Sequence, residues 1–136
     1  MPSAIETLLP HRAPMRFIDA LTECTDTTAR ATVNFAADHF AVAHGAVLEP
    51  ALVECVAQTV AAALGQRAKN RGQTGGAALG MLIAVTNFQI QARPPAEKEL
   101  GIEIRELKRL GPMLMISSQI VCDGQPVASG ELTVYA

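Results

Sequence analysis

Residues 50–65, PALVECVAQTVAAALG, are apolar at nearly every helical angle, which predicts a helix from Pro50 to Gly65 enclosed by the rest of a domain. Two positions break the pattern. Glu54 and Gln58 lie one turn apart and share a face. Before the helix, Ala4 to Leu9 reads as a short helix closed by Pro10 and the turn-like PHRAP. Met15 to Cys24 is compatible with a strand. Thr28 to Phe35 alternates more clearly, with Ala29, Ala31, Val33 and Phe35 on one side. Thr25-Asp26-Thr27 supplies the turn between these two strands, and a loop from Ala36 to Glu49 leads into the helix.

Gly65 and the polar run QRAKNRGQTGG predict the end of the helix and a loop. Only strands follow: Ala78 to Ile90, interrupted by Gly80, then Glu99 to Leu107, Met113 to Val121 and Pro126 to Tyr135. Pro94-Pro95 separates the first two, and Asp123-Gly124 is a strong hairpin turn between the last two. Two strands, one buried helix and about four further strands predict an α+β domain over residues 1–136, an antiparallel sheet wrapped around the helix. One sheet on one helix leaves an edge or face of the sheet uncovered, and dimerisation is the simplest cover.

Composition narrows the function. At 136 residues, 49% hydrophobic and 18% charged, the chain is long enough for a packed core and is not of disordered type. A net charge of −2, few aromatics and no Trp give no footprint for nucleic acid. No apolar run approaches the ~18 residues that suggest a membrane span, and MPSAIETLLPHR has no signal-peptide pattern. Cys24, Cys55 and Cys122 lack metal-ligand spacing and read as reduced thiols in a cytoplasmic protein.

A carboxylate in an apolar helix is rarely buried without a partner or a task. Glu54, with His39 and His44 on the loop leading into its helix, therefore makes a candidate acid–base set. Gln58 either satisfies hydrogen bonds or touches substrate. His11, between Pro10 and Arg12, suits a structural hydrogen bond, and Cys55 suits a small core position. Arg67, Lys69 and Arg71 favour the dipole at the helix end, or form a landing patch for an acidic partner.

Several of these segments resemble a known family. LLPHRAPMRFID, residues 8–19, is similar to the opening of the hotdog-fold 3-hydroxyacyl-acyl-carrier-protein dehydratases, which favour Leu-Pro-His-Arg-x-Pro before an apolar strand ending in Asp. Leu52 to Gln58, LVECVAQ, resembles their Glu-x-x-Ala-Gln helix motif. The likeness is closer to a branch of predicted dehydratases, some associated with aryl polyene lipid synthesis. That branch shares the spacing of GAVLEPALVECVAQ, the Leu-Gly strand start at Leu79-Gly80 and the ending at residues 127–135, VASGELTVY.

The resemblance implies a cytoplasmic hotdog homodimer, or a higher oligomer of dimers, with sites at the subunit interface. It places Glu54 at the helix carboxylate that protonates or orients the departing hydroxyl, and a histidine after an aromatic residue on the preceding loop. Phe40 followed by His44 fits that context, and His39-Phe40 imitates the family's His-Phe pair. Where the family carries Pro after its histidine and Gly at the helix start, this chain has Ala46-Val47 and Pro50-Ala51. His44 and Glu54 are the expected catalytic pair, and Gln58, Gly80 and Met81 the expected substrate-binding residues.

Eliminating water from a 3-hydroxyacyl thioester needs a base for the C2 proton and an acid for the C3 hydroxyl. A neutral imidazole suits the first at cytoplasmic pH, and a carboxyl in an apolar wall keeps the proton needed for the second. The positive end of the helix would stabilise the enolate, and Met81, Leu82 and Phe88 would line the acyl tunnel. No metal or redox cofactor is required, because the substrate arrives on the phosphopantetheine of acyl carrier protein or on coenzyme A. The alternatives are an acyl thioesterase of the same fold, with Glu54 and Gln58 handling the attacking water, and a non-catalytic acyl-chain-binding subunit, which the missing Pro and Gly favour.

Overall fold

A computed structural model describes residues 4–72 and 81–135. The chain opens with one 3₁₀ turn, Ala4–Thr7. A hairpin follows, of β1 (Ala20–Cys24) and β2 (Thr28–Asn34), then a miniature hairpin of β3 (Val42–Ala43) and β4 (Ala46–Val47). The long helix α1 spans Glu49–Asn70. Four long strands complete the chain: β5 (Met81–Ile90), β6 (Glu99–Leu110), β7 (Met113–Cys122) and β8 (Gln125–Tyr135). Six of the strands form one antiparallel sheet in the order β1-β2-β6-β7-β8-β5.

Alternation decides which face of the sheet is covered. Ala29, Ala31 and Val33 of β2, Leu100, Ile102 and Ile104 of β6, and Leu114, Ile116 and Ile120 of β7 are all buried. They enclose α1, whose Leu52, Cys55, Val56, Thr59 and Ala62 are fully buried. The helix lies against β6, β1 and β2. On the opposite, wet face Arg30 lies 3.5 Å from Glu103 and 3.7 Å from Glu23, exposed ion pairs of little energetic weight. The predicted Asp123-Gly124 turn joins β7 to β8 with both residues at positive φ, the two-residue turn that matches strand twist.

The expected loop before the helix contains the β3-β4 hairpin, and β6 runs to Leu110 rather than Leu107. Three further departures from the sequence expectation have a physical reason. The Ala4 to Leu9 segment makes only the 3₁₀ turn before Leu8 and Leu9 turn into the core. Met15 to Ile18 does not join the sheet, because the Phe17 and Ile18 N–H groups and the Met15 carbonyl bond to the Gln58 side chain instead. The ladder begins where Asp19 N donates to Thr32 O.

Gly65, the third case, does not end the helix. Its missing side chain lets the Leu8 carbonyl approach, since a Cβ there would sit 2.9 Å from that oxygen. The helix runs on through Gln66-Arg67-Ala68-Lys69-Asn70, and the Arg71 and Gly72 N–H groups close it on carbonyls of the last turn.

Gly65 therefore gives a test of sign. At an unconstrained helix position Gly→Ala stabilises by about 1 kcal/mol. At this contact, overpacking costs about 1–3 kcal/mol, so Gly65→Ala is expected to lower the urea midpoint of unfolding.

Candidate active site

The site grows from the one large polar side chain that is fully enclosed among the described residues. Gln58 is 1% exposed. Its Oε1 accepts from Phe17 N at 2.8 Å and Ile18 N at 3.4 Å, and its Nε2 donates to Met15 O at 2.8 Å and to Glu54 Oε1 at 3.0 Å. The amide thus fastens the N-terminal arm to the helix and steadies the carboxylate one turn away. Arg12 curls the arm upstream, donating to Leu9 O at 2.8 Å and His11 O at 2.9 Å. The curl carries His11 over the helix, with Nε2 3.7 Å from Glu54 Oε1.

Glu54 differs from its expected setting in an apolar wall. Its side chain is 42% exposed and that of His11 is 32% exposed, so in the single chain the pair sits at a rim open to water. The neighbouring Cys55 is buried in the core. Burial pushes its thiol well above the ordinary range, with the Glu54 and Asp19 carboxylates adding to the effect, which removes the thiolate a nucleophile needs.

The two loop histidines sit in different environments. His39 belongs to an aromatic cluster, stacked on Phe40 at 4.6 Å between centroids and edge-on to Phe17 and Phe35. Its Nδ1 accepts from Ala41 N at 2.9 Å. His44 is exposed at the tip of the β3-β4 hairpin, where His44 and Gly45 both have positive φ and make the two-residue turn. Arg93 clamps that hairpin, donating to the carbonyls of Ala43, Ala46 and Val47 at 2.8–3.0 Å. Among the described residues, no hydrogen bond or ion pair joins His39 or His44 to Glu54.

Of the remaining candidates, Gly80 lies outside the described residues, and Met81 opens β5 opposite Tyr135. Phe88 is half-buried and rests on Gly130, where a Cβ would come within 2.6 Å of it. In the basic run, Arg67 is already engaged, with Nε on Thr25 O at 2.8 Å and Nη1 3.8 Å from Glu106, whereas Lys69 and Arg71 are exposed. A concavity of about 670 Å³ lies along the sheet beside Arg30, Glu103, Gln119 and Ser129, and includes neither Glu54 nor Gln58. The arm was the feature that sequence reasoning missed. Its signal was the amide of Gln58, whose donors and acceptor had to be met by backbone from outside the helix.

Removing that amide would expose its partners. Gln58→Leu keeps the volume but strands the Phe17 N–H and the Met15 carbonyl, at about 1–3 kcal/mol for each unsatisfied group. A loss of at least about 2 kcal/mol in urea unfolding and faster hydrogen exchange at the Phe17 amide are expected.

Comparison with known proteins agrees with this architecture. The model of the ApeP-like family, described as ApeP dehydratase, matches residues 3–136. No curated protein matches the chain. Among solved structures, the dehydratase heterocomplex ApeI:P from Xenorhabdus doucetiae is similar with a TM-score of 0.86 at 24% identity, over 96% of this chain and 89% of that one. A hypothetical thioesterase with coenzyme A from Streptococcus pneumoniae is similar at 0.69 and 10% identity, over 85% and 83%. A mutant of the phenylacetic acid degradation protein PaaI from Thermus thermophilus gives 0.67 at 16%, over 85% and 90%. These likenesses share the hotdog fold, one helix wrapped by an antiparallel sheet. With nearly its whole length matched by the family model, the chain belongs to the ApeP-like family of dehydratases.

Proposed function

We propose that this dehydratase removes water from 3-hydroxyacyl thioesters to give the 2-enoyl thioester, in lipid synthesis of the aryl polyene type. The observation that carries the proposal is the carboxylate of Glu54, held at the rim by Gln58 through Oε1 with Oε2 left for a substrate hydroxyl. Glu54 gives its proton to the departing C3 hydroxyl, a histidine takes the C2 proton, and the C2–H electron pair becomes the new double bond as water leaves. His44 is the proposed base, carried on its clamped hairpin turn. The positive end of α1 favours the developing enolate.

A site open at a rim calls for a second surface to exclude water, and the sheet offers an edge for one. Among the described residues β5 pairs only with β8, and Val85 on it is exposed. Dimerisation, with a second copy or with a sister dehydratase subunit of the kind named in the Xenorhabdus heterocomplex, would cover both. The acyl chain would run along Phe88, and Gly80 and Met81 are proposed as substrate-binding residues. The chemistry needs no metal or redox cofactor, because the thioester's own phosphopantetheine arm, on acyl carrier protein or coenzyme A, presents the substrate. Three free thiols suit a reducing compartment, the cytoplasm. No helix among the described residues is long and apolar enough to cross a membrane.

A second reading, acyl-thioester hydrolysis, is favoured by the thioesterase among the structural neighbours. Mass spectrometry of 3-hydroxyacyl-carrier-protein substrates separates the two. Wild type is expected to release water and leave the thioester intact, and Glu54→Gln and His44→Ala each to lose about a hundredfold or more in kcat. Release of free acid that persists in His44→Ala would establish the thioesterase. Bound acyl ligand without turnover, at unchanged affinity in Glu54→Gln, would establish a binding subunit.

A further inference from the structure

We propose that His11 is a positioning residue for Glu54, its Nε2–H turned to Oε1, and that with Gln58 it fixes Oε2 as the oxygen that carries and gives up the proton. The inference rests on the dehydratase reading above and assigns a role that the catalytic pair alone does not contain.

The backbone decides the orientation of the Gln58 amide. The atom facing the Phe17 and Ile18 N–H groups must be the oxygen, so the atom facing Glu54 is the NH₂ group, a donor. Glu54 Oε1 is therefore an acceptor in either charge state. When the carboxyl is protonated, its hydrogen belongs on Oε2. Among the described residues Oε2 has no hydrogen-bond partner, and the side chain is 42% exposed, so that hydrogen can meet a ligand.

His11 adds a second donor to the same oxygen. Its Nδ1 is buried and meets no hydrogen-bond partner among the described residues, so a hydrogen placed there would be an unsatisfied donor. The neutral ring is then the tautomer with hydrogen on Nε2, the nitrogen 3.7 Å from Glu54 Oε1. That separation exceeds a formed hydrogen bond and shortens with a small rotation of either partly exposed side chain, as catalytic contacts do when substrate closes the site. In this tautomer the lone pair of His11 lies on the buried Nδ1, out of reach of a C2 proton. His11 is thus a donor that acts through Glu54. The Arg12 guanidinium on the carbonyls of Leu9 and His11 holds the arm so that the ring stays over the helix.

Two measurements test the assignment together. Steady-state dehydration by wild type, His11→Ala and His11→Gln reads the donor role, since Gln returns an N–H near the Nε2 position. His11→Ala is expected to lower kcat about ten- to a hundredfold, the worth of one donor on an ionisable oxygen, with KM and thermal midpoint little changed. His11→Gln should recover most of that loss. Wild-type kcat in His11→Ala would overturn the proposal. So would His11→Gln as impaired as His11→Ala, because a base cannot be replaced by an amide. Long-range proton–nitrogen NMR on ¹⁵N-labelled wild type reads the tautomer directly. Hydrogen on Nε2 is expected, and hydrogen on Nδ1 contradicts the assignment. If wild type turns over no 3-hydroxyacyl thioester, the dehydratase reading fails, while the NMR result still decides the tautomer and geometry of His11.

Discussion

A primary amide taken out of water costs several kcal/mol unless its two donors and its acceptor are engaged, and Gln58 engages them all. Three of its four partners are backbone atoms of residues 15–18, and the fourth is Glu54. The remainder of the site hangs on this set of bonds. The arm cannot leave the helix without exposing the amide, and the amide cannot turn over without presenting oxygen to a carboxylate. One side chain thus joins the fold to the chemistry. It takes residues that would otherwise extend β1 and uses their hydrogen bonds to fix the orientation of the Glu54 carboxyl.

The helix itself supplies little directionality. It is apolar nearly all round, packs by area, and has no side-chain cap at Leu48. What sets its register against the arm is the close approach of Leu8 to Gly65 at one end and the amide of Gln58 in the middle. Between these two fixed points His11 comes to lie beside Glu54. At the other side of the helix start, Arg93 ties the β3-β4 hairpin to the segment before β6, so that His44 rides on a clamped turn rather than on a long loop.

Much of this was legible in the residues, in ways that follow from range. The long helix, the four late strands, the Asp123-Gly124 turn and the shared face of Glu54 and Gln58 are local patterns, and local periodicity reads them. What escaped depends on contacts distant in sequence. Met15 to Ile18 has the composition of a strand, yet a glutamine far down the chain takes its hydrogen bonds. Gly65 has the position of a helix stop, yet it serves a packing contact with Leu8. Glu54 and Gln58 were expected to be buried together, but only Gln58 is, because the arm covers one turn of the helix and stops short of the next. The proximity of His11 to Glu54 has no trace in spacing, since it exists only once the arm folds back.

The proposed role of Glu54, oriented through Oε1, is to deliver its proton from Oε2 to the departing hydroxyl. The most direct measurement is a crystal structure with a bound 3-hydroxyacyl amide analogue, whose C2 proton is too weakly acidic for the elimination to run. The 3-hydroxyl is expected within hydrogen-bond distance of Glu54 Oε2 while Gln58 Nε2 remains on Oε1. A hydroxyl bound away from Glu54, or a carboxylate turned so that Gln58 no longer holds it, would overturn this role for Glu54.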